Sequence, residues 1–131
     1  MRMRTLLAVN TFLATVHGLA FVLLPATALA FYGVTMGPAE RLMGQLFGTG
    51  LLTVALMCWF GRGLGDAASQ RMIAIALGVP YVVGAIVTLM ATLSGVMNVN
   101  GWIGVAIYAG LAAAYGWALL ARHDPAGAVG R

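Results

Sequence analysis

The stretch "TLLAVNTFLATVHGLAFVLL", residues 5–24, decides the fold class of this chain. It runs for twenty residues without an Arg, Lys, Asp or Glu. A helix of this length is about 30 Å long, which matches the hydrocarbon core of a bilayer. The same stretch carries Asn10 and His17, two polar side chains that are costly in hydrocarbon unless they find a hydrogen-bond partner.

The rest of the chain has the same character. Of its 131 residues 62% are hydrophobic and only 8% are charged, whereas a soluble domain has about 25% charged residues. Further uncharged runs, each long enough for one crossing, cover residues 42–61, 72–93 and 94–121. The sequence therefore predicts an all-α fold in which residues 1–131 form a single membrane domain. Its four transmembrane helices are expected at about 5–24, 39–60, 69–93 and 99–121.

A cleaved signal peptide is the alternative for the first run. The basic start "MRMR" and the A-x-A pattern at residues 28–30 both fit it. However, the apolar run is longer than the usual signal segment of about 7–15 residues, and Asn10 and His17 interrupt it. We expect a retained helix.

The arginines predict the orientation. The chain has no lysine, and only Arg41 lies on one side of the membrane if the four helices alternate. The other six arginines then share the opposite side: Arg2, Arg4, Arg62, Arg71, Arg122 and Arg131. Because cytoplasmic loops carry the excess of Lys and Arg, both termini are expected in the cytoplasm. The net charge of +4 thus reflects topology and contact with the lipid bilayer, and no nucleic-acid partner is indicated.

The connections carry signals for helix starts. Pro38 suits the first position of a helix, and Asp66 suits the N-cap of the third span. Asn98 or Asn100 is the expected cap of the fourth span. The uncharged segment 25–38 is expected to lie in the outer membrane interface.

The polar side chains within the predicted spans can be compared by their depth in the membrane. At a rise of 1.5 Å per residue, His17 lies about level with Gln45, Thr49, Thr88 and Tyr108. Asn10 lies deeper, level with Thr53, Tyr81 and Tyr115. We expect Asn10 and His17 to face the interior, with His17 bonded to Gln45, a threonine or a backbone carbonyl. The candidate ligand-binding residues are His17, Gln45, Asn10, Thr49 and Tyr108. Whether His17 has a structural role, or contacts a ligand or handles a proton, is left open at this point.

No catalytic or metal-binding pattern is present in the sequence. Cys58 is the single cysteine, no carboxylate pair falls within a span, and no Ser–His–Asp set shares one depth. No cofactor is predicted, because haem held through His17 would need a second membrane histidine and His123 lies in the C-terminal tail. The sequence therefore does not indicate an enzyme.

Small residues recur at four-residue spacing on three of the predicted helices, as membrane helix contacts favour. These stripes are Ala14 and Gly18, Gly44 and Gly48, and Ala106, Gly110 and Ala114. They fit close packing inside the bundle or a face for self-association.

Four stretches carry a family resemblance: "HGLAFVLLPATALAFYGV" (17–34), "PAERLMGQLFGTGLLTVAL" (38–56), "RMIAIALG" (71–78) and "MNVNGW" (97–102). In this pattern the chain resembles small bacterial four-helix integral membrane proteins classed as domains of unknown function. The resemblance implies a multi-pass protein of the bacterial inner membrane. It implies no activity and no site residues.

Three functions fit these observations. The first is a structural or accessory subunit that acts through helix–helix contacts, in a homo-oligomer or a larger membrane complex. The second is a transporter or binder of a small amphiphilic molecule, with a polar cavity around His17 and Gln45. The third is a membrane cofactor binder.

Overall fold

The computed structural model describes residues 2–121, and this part of the chain forms five α-helices and no strand. The helices are α1 (Met3–Leu23), α2 (Pro25–Phe31), α3 (Pro38–Gly61), α4 (Ala67–Leu93) and α5 (Gly101–Leu120). The predicted all-α fold with four long apolar helices is confirmed. Each end of these four long helices lies within two residues of its predicted position, whereas the short helix α2 was not predicted. Arg122, His123 and Arg131 lie outside the described residues.

Helices α1, α3, α4 and α5 are each long and apolar enough to cross a membrane. Large apolar side chains also cover the outside of the bundle, and Phe12, Leu23, Phe60 and Trp117 are each about two-thirds exposed or more, at 67%, 70%, 73% and 68%. Monomeric soluble proteins rarely expose such large apolar surfaces. The fold is thus that expected of a multi-pass membrane protein.

Two helix pairs make up the bundle. Helix α1 packs along α3 and helix α4 along α5, while contact between the pairs runs mainly through α1 and α5. In the first pair, Gly18 and Gly48 meet at the crossing: a Cβ on Gly48 would lie 2.8 Å from the Gly18 carbonyl oxygen and 2.9 Å from Cβ of Phe21. Of the two roles that fit these two stripes, close packing inside the bundle is the one found at Gly18 and Gly48.

The second pair joins through tyrosines that pack over glycines. The ring of Tyr108 lies directly over Gly84, and Tyr115 lies against Gly78. Tyr81 sits between the two rings, stacked on Tyr115 at a centroid distance of 5.9 Å and tilted toward Tyr108 at the same distance. Aromatic pairs at such distances add stability beyond that of their buried area.

The third small-residue stripe faces outward over most of its length, and only Ala114 packs against the buried core cluster. Ala106 and Gly110 lie exposed on α5, and a Cβ on Gly110 would meet no atom within 4 Å. The sequence pattern alone did not distinguish this outward stripe from the inward ones.

Two helix starts follow the sequence signals. Helix α3 begins at Pro38, and the Asp66 side chain caps α4 by accepting a hydrogen bond from the Ser69 backbone N–H at 2.7 Å. This bond holds the pKa of Asp66 below its ordinary value. The start of α5 differs from expectation, because Asn100 occupies the N-cap position without a side-chain cap bond.

The asparagines before α5 bond instead to the end of α2. The Asn98 backbone N–H donates to the Tyr32 carbonyl at 2.8 Å. The side-chain amides of Asn98 and Asn100 both donate to the Phe31 carbonyl, at 3.1 and 2.8 Å. Gly33 adopts a φ of 80° at this turn, a conformation that favours glycine. These bonds, which we call the asparagine clasp, join the two helix pairs at the α2 end of the bundle.

Candidate functional site

A cavity of about 270 Å³ lies between the two helix pairs, in the half of the bundle nearest α2. Asn10 and Tyr81 line its floor, and His17 lines a wall. Leu29 and Tyr32, beside the asparagine clasp, line its roof. Most of the lining is apolar, and no charged side chain is among the described residues that line it.

Below the cavity the bundle is solidly packed. The buried core cluster belongs to the end where α1 begins and α5 ends, which we call the terminal end. Leu6, Leu7, Cys58 and Tyr115 are each no more than 2% exposed there. The cavity therefore ends at the level of Asn10.

Asn10 organises the floor through two hydrogen bonds to other helices. Its Oδ1 accepts from the Tyr81 hydroxyl at 2.6 Å, and its Nδ2 donates to the Tyr115 hydroxyl at 2.8 Å. Asn10 is 1% exposed. The Cys58 side chain on α3 belongs to the same buried cluster as Tyr115. This Asn10 network links α1, α4 and α5, and it confirms that Asn10 faces inward at the level of Tyr81 and Tyr115.

His17 is half-buried, and its Nδ1 lies 2.8 Å from the Leu13 carbonyl oxygen on the same helix. A carbonyl oxygen only accepts, so Nδ1 carries the proton. In the neutral ring Nε2 is then an acceptor, and no described residue bonds to it. Of the three predicted kinds of partner, the backbone carbonyl is the one found.

Two tyrosines add hydroxyl groups to the cavity lining. Tyr108 was predicted as a site residue and does line the cavity, together with Tyr32. Neither hydroxyl bonds to another described residue. Burial raises the pKa of Tyr32, which lies outside the spanning helices, so this hydroxyl stays protonated and able to donate. Thr88 also lines the cavity, but its hydroxyl donates to the Gly84 carbonyl of its own helix at 2.8 Å.

The placement of Gln45 and Thr49 in the interior is corrected. Both lie exposed on α3; Gln45 Nε2 donates to the Val22 carbonyl at 3.3 Å, and the Thr49 hydroxyl donates to the Gln45 carbonyl at 3.0 Å. The buried face of α3 carries Gly44 and Gly48. Because successive residues on a helix are about 100° apart, the positions one residue later turn away from the interior.

The roof of the cavity was not predicted from the sequence. Leu29, Tyr32 and Met97 line it, and they come from segments that were read only as connections. Pro25 at the first position of α2 was the available signal, since proline favours that helix position. Nothing local indicated that α2 folds back over the space between the helix pairs.

The described residues contain no group of three or more His, Cys, Asp or Glu side chains that could hold a metal ion. No family model matches the chain, and comparison with curated proteins and with solved structures gives no match either.

Replacing Asn10 by leucine should destabilise the bundle. The change keeps the volume similar but leaves two buried tyrosine hydroxyls without their amide partner, so the free energy of unfolding should fall by about 1–3 kcal/mol. Unfolding in detergent, followed by circular dichroism, measures this. The control is Thr49→Val, which removes an exposed hydroxyl and should change stability by less than about 0.5 kcal/mol. Equal stability of the two variants would contradict the organising role of the Asn10 network.

Proposed function

We propose that this chain is a membrane protein that binds a small, mainly apolar molecule in the cavity between its helix pairs. The observation that supports this most directly is the cavity itself. It is apolar and built from all five helices, with His17 and Tyr108 on its walls. Concave sites with mostly apolar walls and a few placed polar groups are typical of small-molecule binding.

The volume limits the size of the ligand. Small-molecule pockets usually measure about 300–1,000 Å³, so a cavity of about 270 Å³ suits a compact molecule. An engineered apolar cavity of about 150 Å³ holds benzene. One or two rings, or the end of a branched chain, would fill the space here.

The polar groups define the chemistry of the ligand. Nε2 of His17 can accept a hydrogen bond, and the hydroxyls of Tyr32 and Tyr108 can donate one. A neutral alcohol, phenol or amide would satisfy these groups. A charged ligand is disfavoured, because burying an ion without an opposite charge is costly and no charged side chain lines the cavity.

Filling the cavity should remove the bound molecule. A Cβ on Gly104 would have its nearest neighbour 3.8 Å away, at Thr88 Cγ2, so Gly104→Leu places its side chain in the cavity. The control is Gly116→Leu on the same helix, where a Cβ would meet nothing within 4 Å. Organic extracts of the purified proteins, analysed by mass spectrometry, should show a small molecule in the wild type and the control that is missing from Gly104→Leu. Identical extracts from all three proteins would refute the proposal.

His17→Leu provides a second arm of the same measurement. The fold should persist, because the Leu13 carbonyl keeps the backbone bond that an α-helix gives it. The bound molecule should be lost or reduced, while His17→Gln should retain more of it because glutamine can still accept a hydrogen bond. Full retention in His17→Leu would remove His17 from the site.

A second candidate function is that of an accessory subunit acting through helix contacts. The observation that favours it is that Ala106 and Gly110 lie exposed on α5, and a Cβ on Gly110 would meet no described atom within 4 Å. Small residues allow close approach of a helix from another chain.

Gly110→Leu tests this second role. If the stripe is an interface, the variant should shift to a smaller species in size analysis under mild detergent, with unchanged thermal stability of the monomer. An unchanged oligomeric state would exclude the stripe as a self-association face.

We further propose that the protein lies in a bacterial inner membrane with both termini in the cytoplasm. The arginine distribution supports the orientation, and the family resemblance supports the location. Reporter fusions after Arg131 should be active in the cytoplasm, and reporters inserted within residues 33–37 should be active outside it. The reverse pattern would overturn the orientation.

A further inference from the structure

Two open grooves flank Arg4 at the terminal end of the bundle. One measures about 420 Å³ and the other about 510 Å³. Arg4 lines both. Neither groove shares a lining residue with the cavity near His17, so the two regions are separate.

The first groove combines two arginines with apolar walls. Arg2 and Arg4 line it beside the side chains of Met3, Trp117 and Ala118. Both arginines lie exposed. The groove therefore presents two positive charges next to a surface that continues into the apolar side of α5.

The second groove holds a fixed arginine. The Arg62 guanidinium carbon lies 3.7 Å from the centre of the Trp59 ring, and Arg62 Nε donates to the Trp59 carbonyl at 3.3 Å. Arg4 and Phe60 line the same groove. The cation–π contact orients Arg62 and leaves its terminal N–H groups to meet an anion.

No carboxylate neutralises these arginines within the described residues. The described carboxylates are Glu40, at the α2 end, and Asp66. The Asp66 side chain caps α4, and it lines neither groove. The arginines around Arg4 thus form a positive patch without an ion pair in this part of the chain.

We propose that these two grooves bind the headgroup phosphate of anionic phospholipids. The grooves lie at the ends of helices that are long enough to span a bilayer, where lipid phosphates lie. Guanidinium groups bind phosphate through paired N–H donors, and tryptophan is enriched at this depth. The lipid chains would run along the exposed apolar surface below Phe60 and Trp117. A zwitterionic lipid fits less well, because its own cation would face the arginines.

The test compares lipids added to the full-length protein in detergent micelles. Phosphatidylglycerol should raise the melting temperature, and native mass spectrometry should show it retained. Phosphatidylcholine and inorganic phosphate should have little effect. An equal rise with phosphatidylcholine would overturn the preference for anionic lipid, and an equal rise with inorganic phosphate would overturn lipid as the source of the phosphate.

Variants locate the effect. Arg4→Gln, which affects both grooves, should abolish most of the rise in melting temperature, and Arg62→Gln should reduce it. If Arg4→Gln does not fold, the rise in melting temperature of Arg62→Gln is compared with that of the wild type instead. The matched control is Arg41→Gln, the same charge change in an exposed residue at the opposite end, which should keep the full rise. Equal loss in Arg41→Gln and in the groove variants would overturn the proposed site.

Discussion

The buried amide of Asn10 is the interaction on which the arrangement of the bundle depends. Inside a membrane a polar side chain has no water to bond with, so its partners must come from the protein. Asn10 takes them from Tyr81 and Tyr115 on the other helix pair. No rotation or shift of α1 against α4 and α5 could break these bonds without leaving polar groups buried and unsatisfied. Hydrocarbon contacts alone impose no such register, since apolar side chains gain little by leaving lipid for protein.

The cavity follows from how few contacts join the two pairs. Within each pair, glycines let the partner approach closely, as at Gly48 and Gly84. Hydrogen bonds join the two pairs at two levels. The Asn10 network joins them near the middle of the bundle, and the asparagine clasp at Asn98 and Asn100 joins them at the α2 end. The space between these two levels has no equivalent set of interlocking side chains. It stays open, with α2 across its top.

The two proposed sites lie at opposite ends of the molecule and bind through different interactions. The cavity offers low polarity and single hydrogen-bonding groups such as His17 Nε2, which suit a neutral molecule. The grooves beside Arg4 offer charge at the membrane surface, where lipid headgroups and water meet.

The sequence by itself determined the number and limits of the long helices, because the length of an apolar run is set by bilayer thickness. It also predicted the Asp66 cap and the depth match of Asn10 with Tyr81 and Tyr115, since these follow from local spacing and a fixed rise per residue. Only the tertiary structure decided which face of each helix turns inward. That choice placed Gln45 and Thr49 on the outside and left Ala106 and Gly110 exposed, although Gly110 has the same local pattern as Gly48. It also placed α2 over the cavity and brought Arg2, Arg4 and Arg62 around two grooves. Rotation about a helix axis is set by close packing between helices, which a nearly uniform apolar sequence does not encode locally.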